Sequence, residues 1–138
     1  MLTDGQGMPL ALAIEGANRH DMKLVRKTLE NLPWARPEPT ARCPQHLCMD
    51  KGYDFQEVRD LVAEFGLSAW ICSRGDEAKA LRRHVGYRAR RWVVERSHSW
   101  INRCRGLLVR WAKKAENYLA FLHLACGIIT WRASGLLG

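Results

Sequence analysis

HLCMDKGYDFQEVRDLVAEFGLSAWIC, residues 46–72, shows two changes of hydrophobic pattern that predict the architecture of this chain. Residues 46–50 and 67–72 are short apolar runs with the length of strands. Between them, apolar side chains recur every three or four residues, which is typical of an amphipathic helix. A strand, a helix and a strand in this order predict a parallel βαβ unit and therefore an α/β fold.

Turn signals mark the ends of the predicted helix and of the strand before it. Asp54, with Glu57 three residues later, resembles a capping box and predicts the helix start, and Gly66 predicts its end. Asp50 is the last residue of the first apolar run. Open α/β sheets bind their ligands at the carboxyl ends of the strands, so Asp50 lies where we expect the chemistry.

Upstream of this unit, the chain begins in what reads as the middle of a hairpin. The turn signal of residues 4–7, DGQG, follows only three residues and precedes the predicted strand Pro9–Ile14. A helix capped by Asp21 is predicted next, and it ends before Pro33. Because so little strand precedes the turn, we expect the 138 residues to be part of a larger domain.

Downstream of the unit, positive charge is concentrated around a single carboxylate. Residues 79–114 contain twelve Lys and Arg but only one acid, Glu95, whereas the whole chain has a net charge of +8. Such a block attracts nucleic acid by neutralising phosphates and releasing counterions. One helix from Arg91 to Arg105 is predicted here, with Glu95 on its polar side and an apolar arc opposite.

The most apolar segment, residues 118–131, is about fourteen residues long, against the roughly 20 that a membrane span needs. We therefore expect a buried core helix and no membrane partner. No signal peptide pattern opens the chain. The five cysteines are odd in number and scattered, which favours reduced thiols and a cytoplasmic location.

Asp50 and Glu95 form the sharpest candidate site. Carboxylates converging from separate elements suit Mg²⁺ or Mn²⁺, which prefer oxygen ligands. A purely structural alternative stays open, in which Asp50 caps the turn at residues 51–52 and Glu95 pairs with Arg91. A zinc site is disfavoured, because its candidate ligands lack paired C-x-x-C spacing; they are Cys43, His46, Cys48 and Cys72.

Three ordered blocks carry a family resemblance: TDGQGMPLALAIEGANRHD, HLCMDKGYD and RRWVVERSHSWINRCRGLLVRWAKKAENYLAFLHLACGIITWR. They resemble the DDE-type transposases of bacterial insertion sequences, in the insertion-sequence-five-like and insertion-sequence-four-like group. The resemblance implies a ribonuclease H-like mixed sheet flanked by helices and two Mg²⁺ or Mn²⁺ ions held by an Asp-Asp-Glu triad. Asp50 matches the second acid and Glu95 the third. The first acid, and the central first strand that bears it, have no counterpart here, since Asp4 belongs to the hairpin turn.

The implied activity is metal-dependent phosphoryl transfer, with end cleavage and strand transfer in DNA transposition. The resemblance makes residues 1–138 the C-terminal part of the catalytic domain, without the first catalytic strand and the N-terminal DNA-recognition region. Implied partners are double-stranded DNA, an upstream transposase segment that supplies the first acid, and further copies of the chain. We expect the isolated chain to be inactive, as a truncated relic or as the downstream frame of a frameshifted element.

Candidate DNA contacts follow from the basic block and from the resemblance. Arg91 keeps the family spacing to Glu95, whereas Asn102 stands where the family has a Lys. A non-enzymatic alternative is a basic DNA-binding fragment that regulates an intact transposase; RNA binding is less favoured, because no aromatic RNA-recognition motif is present. The DNA-binding candidates are Arg88, Arg90, Arg91, His98, Asn102, Arg103, Arg105, Lys113 and Lys114.

Overall fold

A computed structural model describes residues 1–16, 23–71 and 91–135, which form a mixed α/β structure. The strands pair as two small sheets, one antiparallel and one parallel, and helices pack against both. The strands are β1 (Leu2–Thr3), β2 (Pro9–Ala11), β3 (His46–Met49) and β4 (Ser68–Ile71). The helices are α1 (Leu24–Glu30), α2 (Gln56–Glu64), α3 (Arg91–Asn102), α4 (Arg105–Leu108) and α5 (Ala115–Ala133).

The predicted βαβ unit is confirmed. β3 and β4 pair in parallel, from His46 opposite Ser68 to Met49 opposite Ile71, and α2 connects them and packs against β4. Gly66 ends α2 in the left-handed region, at φ +68°. Because glycine has no Cβ, it adopts this conformation without strain and lets the amide of Leu67 donate back to the carbonyl of Val62 at 3.1 Å.

The predicted capping box at Asp54 is wrong. A short 3₁₀ turn, Lys51–Tyr53, follows β3, and α2 begins only at Gln56, after Phe55 in an extended conformation. The Asp54 carboxylate instead accepts a hydrogen bond from Arg59 at 2.6 Å. Asp54 ends the 3₁₀ turn, and Phe55 is the residue that precedes α2, so Asp54 lies one residue too early to cap the helix.

The hairpin at the start of the chain is confirmed, although its second strand is shorter than predicted. β1 and β2 pair antiparallel, and the Asp4 carboxylate accepts the amides of Gln6 and Met8, both at 2.8 Å. β2 ends at Ala11 and not at Ile14, because β1 offers only two residues for pairing. Asp21, the predicted cap of the next helix, lies outside the described residues.

Two apolar clusters hold these elements together. The sheet cluster lies between α1, α2 and the parallel sheet, and its buried members are Val25, Leu29, Val58 and Val62. The helix cluster lies between α3, α4, α5 and the segment after β2, and its buried members are Leu12, Ile101, Leu107, Leu122, Ala125 and Cys126. α1 connects the two, since Asn31 at its end donates to the carbonyl of Leu12 at 2.7 Å.

The single helix predicted from Arg91 to Arg105 is interrupted. α3 ends at Asn102, Cys104 has extended backbone angles, and α4 begins at Arg105. With this interruption, Leu107 is buried in the helix cluster and Leu108 is exposed. In a continuous helix, both side chains would lie on the apolar side. Tertiary packing therefore overrides the continuous periodicity of the sequence.

α5 is only half buried, which corrects the expectation of a buried core helix. Leu122, Ala125 and Cys126 face the helix cluster, whereas the opposite side of α5 is exposed and apolar. No helix in residues 1–16, 23–71 and 91–135 is both long and apolar enough to cross a membrane.

Val62 is completely buried in the sheet cluster, so Val62→Ala should lower the free energy of unfolding by about 1 to 3 kcal/mol through lost burial and a residual cavity. The matched control is Val109→Ala, at a half-exposed site, which should change it by less than about 0.5 kcal/mol. Urea denaturation followed by circular dichroism measures both. Equal effects would contradict the placement of Val62.

Candidate active site

Asp50 lies directly after β3, at the carboxyl end of the parallel pair. Its exposed carboxylate accepts the amide of Gly52 at 2.9 Å and caps the 3₁₀ turn. A Cβ atom on Gly52 would lie 3.0 Å from the same oxygen, so glycine lets the turn close against the carboxylate. The predicted capping role is confirmed. It does not exclude metal binding, because a carboxylate has several acceptor positions.

Glu95 lies in the second turn of α3, and its side chain is exposed. The side chain of Arg91, its predicted ion-pair partner, lies outside the described residues. An exposed carboxylate on a helix needs a fixed helix orientation before it can act together with a group on another element. The orientation of α3 therefore decides which way the Glu95 side chain is directed.

β1 makes contacts near both acids. Leu2 packs into the sheet cluster together with Met49 and Tyr53, which flank Asp50 in the sequence. β1 also contacts α3, which carries Glu95. β1 thus contacts both the cluster beside Asp50 and the helix that carries Glu95. The joint role of the two acids as a metal site stays a prediction.

Metal-binding side chains do not gather in threes anywhere in the part of the chain that the structure describes. Two carboxylates leave most of the coordination sphere of a divalent ion to water or to further ligands. Of the zinc candidates, Cys43 and Cys48 are exposed, and the imidazole of His46 lies 5.5 Å from the Trp70 ring, centroid to centroid. Cys72 lies outside the described residues.

Arg96, the neighbour of Glu95, was missed by the sequence analysis and proves to be structural. Its guanidinium lies between the rings of Trp92 and Trp100, at 4.6 and 4.8 Å from their centroids. It also donates a hydrogen bond to the carbonyl of Gln6 in the hairpin turn. Aromatic residues four before and four after an Arg on a helix are the signal that could have indicated this stacking.

Ser97 supplies the second contact between α3 and the hairpin turn. It is fully buried, and its hydroxyl donates to the carbonyl of Gly7 at 2.6 Å and lies 3.1 Å from the carbonyl of Val93. A buried hydroxyl without a partner would cost about 1 to 3 kcal/mol, so this bond favours one orientation of α3. Arg96 and Ser97 together fix the rotation of the helix that carries Glu95.

Gly7 makes this close contact possible. It adopts φ +85°, and a Cβ atom there would lie 2.9 Å from Nη2 of Arg96 and 3.1 Å from Oγ of Ser97. Glycine is thus required both for the backbone conformation and for the approach of α3. We call the contacts of Gln6 and Gly7 with Arg96 and Ser97 the hairpin lock.

The predicted DNA contacts fall into two groups. Arg88, Arg90 and the side chain of Arg91 lie outside the described residues. His98 and Asn102 on α3 are exposed, as are the basic residues around α4, which are Arg103, Arg105, Lys113 and Lys114. Although His98 is exposed as a residue, its ring is partly shielded from water, and this desolvation, with a smaller contribution from the charged amino terminus, lowers the pKa of His98 below its ordinary 6.5. His98 is therefore mostly neutral at pH 7 and attracts phosphate weakly.

Comparison with known proteins gives the class that these features define. The profile of the transposase DDE domain family matches residues 47–132, which include all of β3 except its first residue, together with Asp50 and Glu95. A protein named as a transposase for insertion sequence element IS402 of Burkholderia cepacia is 33% identical over 134 residues. That alignment covers 95% of this chain and 61% of the relative. No solved structure matches the chain significantly.

The chain belongs to the DDE transposase family. It is similar to an insertion sequence transposase and spans about three fifths of the length of that relative. The resemblance drawn from the three sequence blocks is thereby confirmed.

Gly7→Ala should lower the free energy of unfolding more than Gly66→Ala does. Both substitutions place alanine in the left-handed region, at a cost of about 1 to 2 kcal/mol. Only at position 7 would the added Cβ atom also come too close to the hairpin lock. At position 66 the nearest atom, Cγ of Pro39, would lie 3.5 Å from the added Cβ atom, which is an ordinary contact distance. We expect a further loss of about 1 to 3 kcal/mol from overpacking. Urea denaturation measures the difference, and equal losses would contradict the lock.

Proposed function

We propose that this chain forms the C-terminal part of a transposase catalytic domain that cleaves and joins DNA by metal-dependent phosphoryl transfer. Asp50 would be the second acid of the triad and Glu95 the third. The position of Asp50 at the carboxyl end of a parallel βαβ unit, within the region that matches the family, carries this proposal. Strand ends of this kind are where α/β sheets place their ligands.

The arrangement of the strands supports a ribonuclease H-like sheet that another segment completes. Among the described residues, β1 pairs only with β2 and β3 only with β4, so each keeps one edge without a strand. Leu2 of β1 packs in the same cluster as Met49 of β3. An additional strand between β1 and β3 would extend both sheets into one.

That additional strand would bear the first acid. The IS402 relative extends well beyond the aligned region, so a full-length family member has chain to supply such a strand. In our proposal it comes from an upstream transposase segment. Asp50, the added acid and Glu95 would then face the edge at which the strands end, and the active complex would contain more than one copy of the chain.

The carboxylates of Asp50 and Glu95 fit Mg²⁺ or Mn²⁺, because hard oxygen donors and exposure to water suit ions that retain water ligands. Two such ions, when bound to the complete triad, would activate the attacking oxygen and stabilise the leaving one. The hairpin lock holds the helix that carries Glu95, and the cap by Gly52 holds the carboxylate of Asp50.

The catalytic proposal is tested with this chain fused to the part of the IS402 relative that lies outside the aligned region. We expect Mn²⁺-dependent nicking of supercoiled plasmid, and a loss of about 100-fold or more in Asp50→Asn and in Glu95→Gln. The fusion with Asp60→Asn or Glu116→Gln should nick normally, because these exposed acids, on α2 and in the first turn of α5, do not belong to the proposed triad. Activity that survives Glu95→Gln would overturn the assignment.

A second candidate function is DNA binding without catalysis, by a chain that regulates an intact transposase. The observation that favours it is an exposed basic surface around α4, where no acid stands between Glu95 and Glu116. Its residues include Arg103, Arg105, Arg110, Lys113 and Lys114. Such a surface binds the DNA backbone whether or not the chain can cleave it.

The triple variant Arg105→Gln, Lys113→Gln, Lys114→Gln should bind duplex DNA more weakly and with less dependence on salt. If each side chain neutralises one phosphate, the slope of log affinity against log salt should fall by about 0.9 per residue. The control replaces three exposed basic residues elsewhere, Lys23→Gln, Arg42→Gln and Arg132→Gln. Fluorescence anisotropy measures both slopes, and equal slopes would exclude the α4 surface as the binding site.

A further inference from the structure

The exposed side of α5 carries an apolar stripe that no described residue covers. Phe121, Leu124, Ile128 and Trp131 are 56%, 62%, 40% and 52% exposed, on the side opposite the helix cluster. A helix that is apolar on all sides is normally buried on all sides. We call these four residues the α5 stripe.

The stripe has the spacing of a coiled-coil seam. Its members are separated by three, four and three residues, which are the intervals between a and d positions of a heptad. The adjoining positions on one flank hold only small residues, Ala120, Gly127 and Ser134. A Cβ atom on Gly127 would meet nothing within 4 Å, so another helix has room to approach closely on this flank.

The order of side chains along the stripe is symmetric about position 126: aromatic, aliphatic, aliphatic, aromatic. In an antiparallel pair of α5 helices, Leu124 of one copy would therefore face Ile128 of the other, and Phe121 would face Trp131. These are the a-to-d layers of an antiparallel coiled coil. A surface that matches itself under a twofold rotation suits a second copy of the same chain.

Charge also favours a second copy over nucleic acid. Residues 117–131 contain no Lys, Arg, Asp or Glu, in a chain with a net charge of +8. Two copies repel each other through their basic surfaces, so close contact is least costly at a face without charge. DNA, in contrast, requires the cations that this face lacks.

A groove beside the stripe enlarges the apolar surface on this side of the molecule. It has a volume of about 590 Å³ and lies between α5 and the β2 region, with walls that include Pro9, Trp34, Gly127 and Trp131. Stripe, Trp34 and groove together expose an apolar surface on the order of 500 Å² or more, against the roughly 800 Å² that each partner contributes to a standard interface. This area is enough for a dimer of modest affinity.

We propose that the chain forms an antiparallel homodimer through the α5 stripe. The proposal deepens the expectation of more than one copy in the active complex. It does not depend on Asp50 or Glu95, since the dimer is measured without metal or DNA. Failure of the catalytic proposal would leave it untouched.

Sedimentation equilibrium of the 138-residue chain, in 0.5 M salt and from about 1 to 100 µM, tests the dimer. We expect a dimer with a dissociation constant on the order of micromolar. Leu124→Glu and Ile128→Lys should each weaken it by about 10-fold or more, because each places a charge without a partner in an apolar layer. The control Trp111→Glu, at a site 79% exposed but outside the stripe, should leave the dissociation constant unchanged.

Mixing the two stripe variants tests the register. In the antiparallel pair, the acid introduced at position 124 of one copy faces the base introduced at position 128 of the other, so the mixture should form a heterodimer tighter than either variant alone. Such rescue also shows that the variants fold. A monomer at 100 µM, a dimer insensitive to the stripe variants, absence of rescue, or a monomer that binds lipid vesicles through the stripe would overturn the proposal.

Discussion

The contact between the hairpin turn and α3 is the constraint on which the candidate site depends. It is made by a fully buried hydroxyl, Ser97, and a guanidinium stacked between two indoles, Arg96, against the backbone of Gln6 and Gly7. Without it, α3 would be held only by its apolar face, which allows small rotations. Because Glu95 precedes Arg96 directly, the same contact sets the direction of the proposed third acid.

The two apolar clusters support different parts of the candidate site. The sheet cluster supports β3 and the turn at Asp50, whereas the helix cluster supports α3, α4 and α5. β1 touches both regions through Leu2 and its contact with α3. β1, a strand of only two residues, is therefore the element that contacts both regions.

Much of the local structure was predictable from the sequence. The wrong predictions concern the exact positions at which helices begin and end. The parallel βαβ unit and the hairpin follow from side chains within a few residues of one another. The predicted cap at Asp54 and the continuous helix to Arg105 were wrong, because a 3₁₀ turn and the burial of Leu107 intervened. The long apolar run of residues 118–131 predicted that α5 is apolar, but not which of its sides the rest of the chain covers.

The amino-acid sequence alone determined the hairpin, the parallel βαβ unit, the place of Asp50 at a strand end and the family to which the chain belongs. It could do so because these properties depend on short-range patterns and on matched blocks of residues. Only the tertiary structure decided the roles of Arg96 and Ser97 and the exposure of the α5 stripe. The Ser97 contact joins groups 90 positions apart, and no local pattern specifies a contact between groups so distant in the chain.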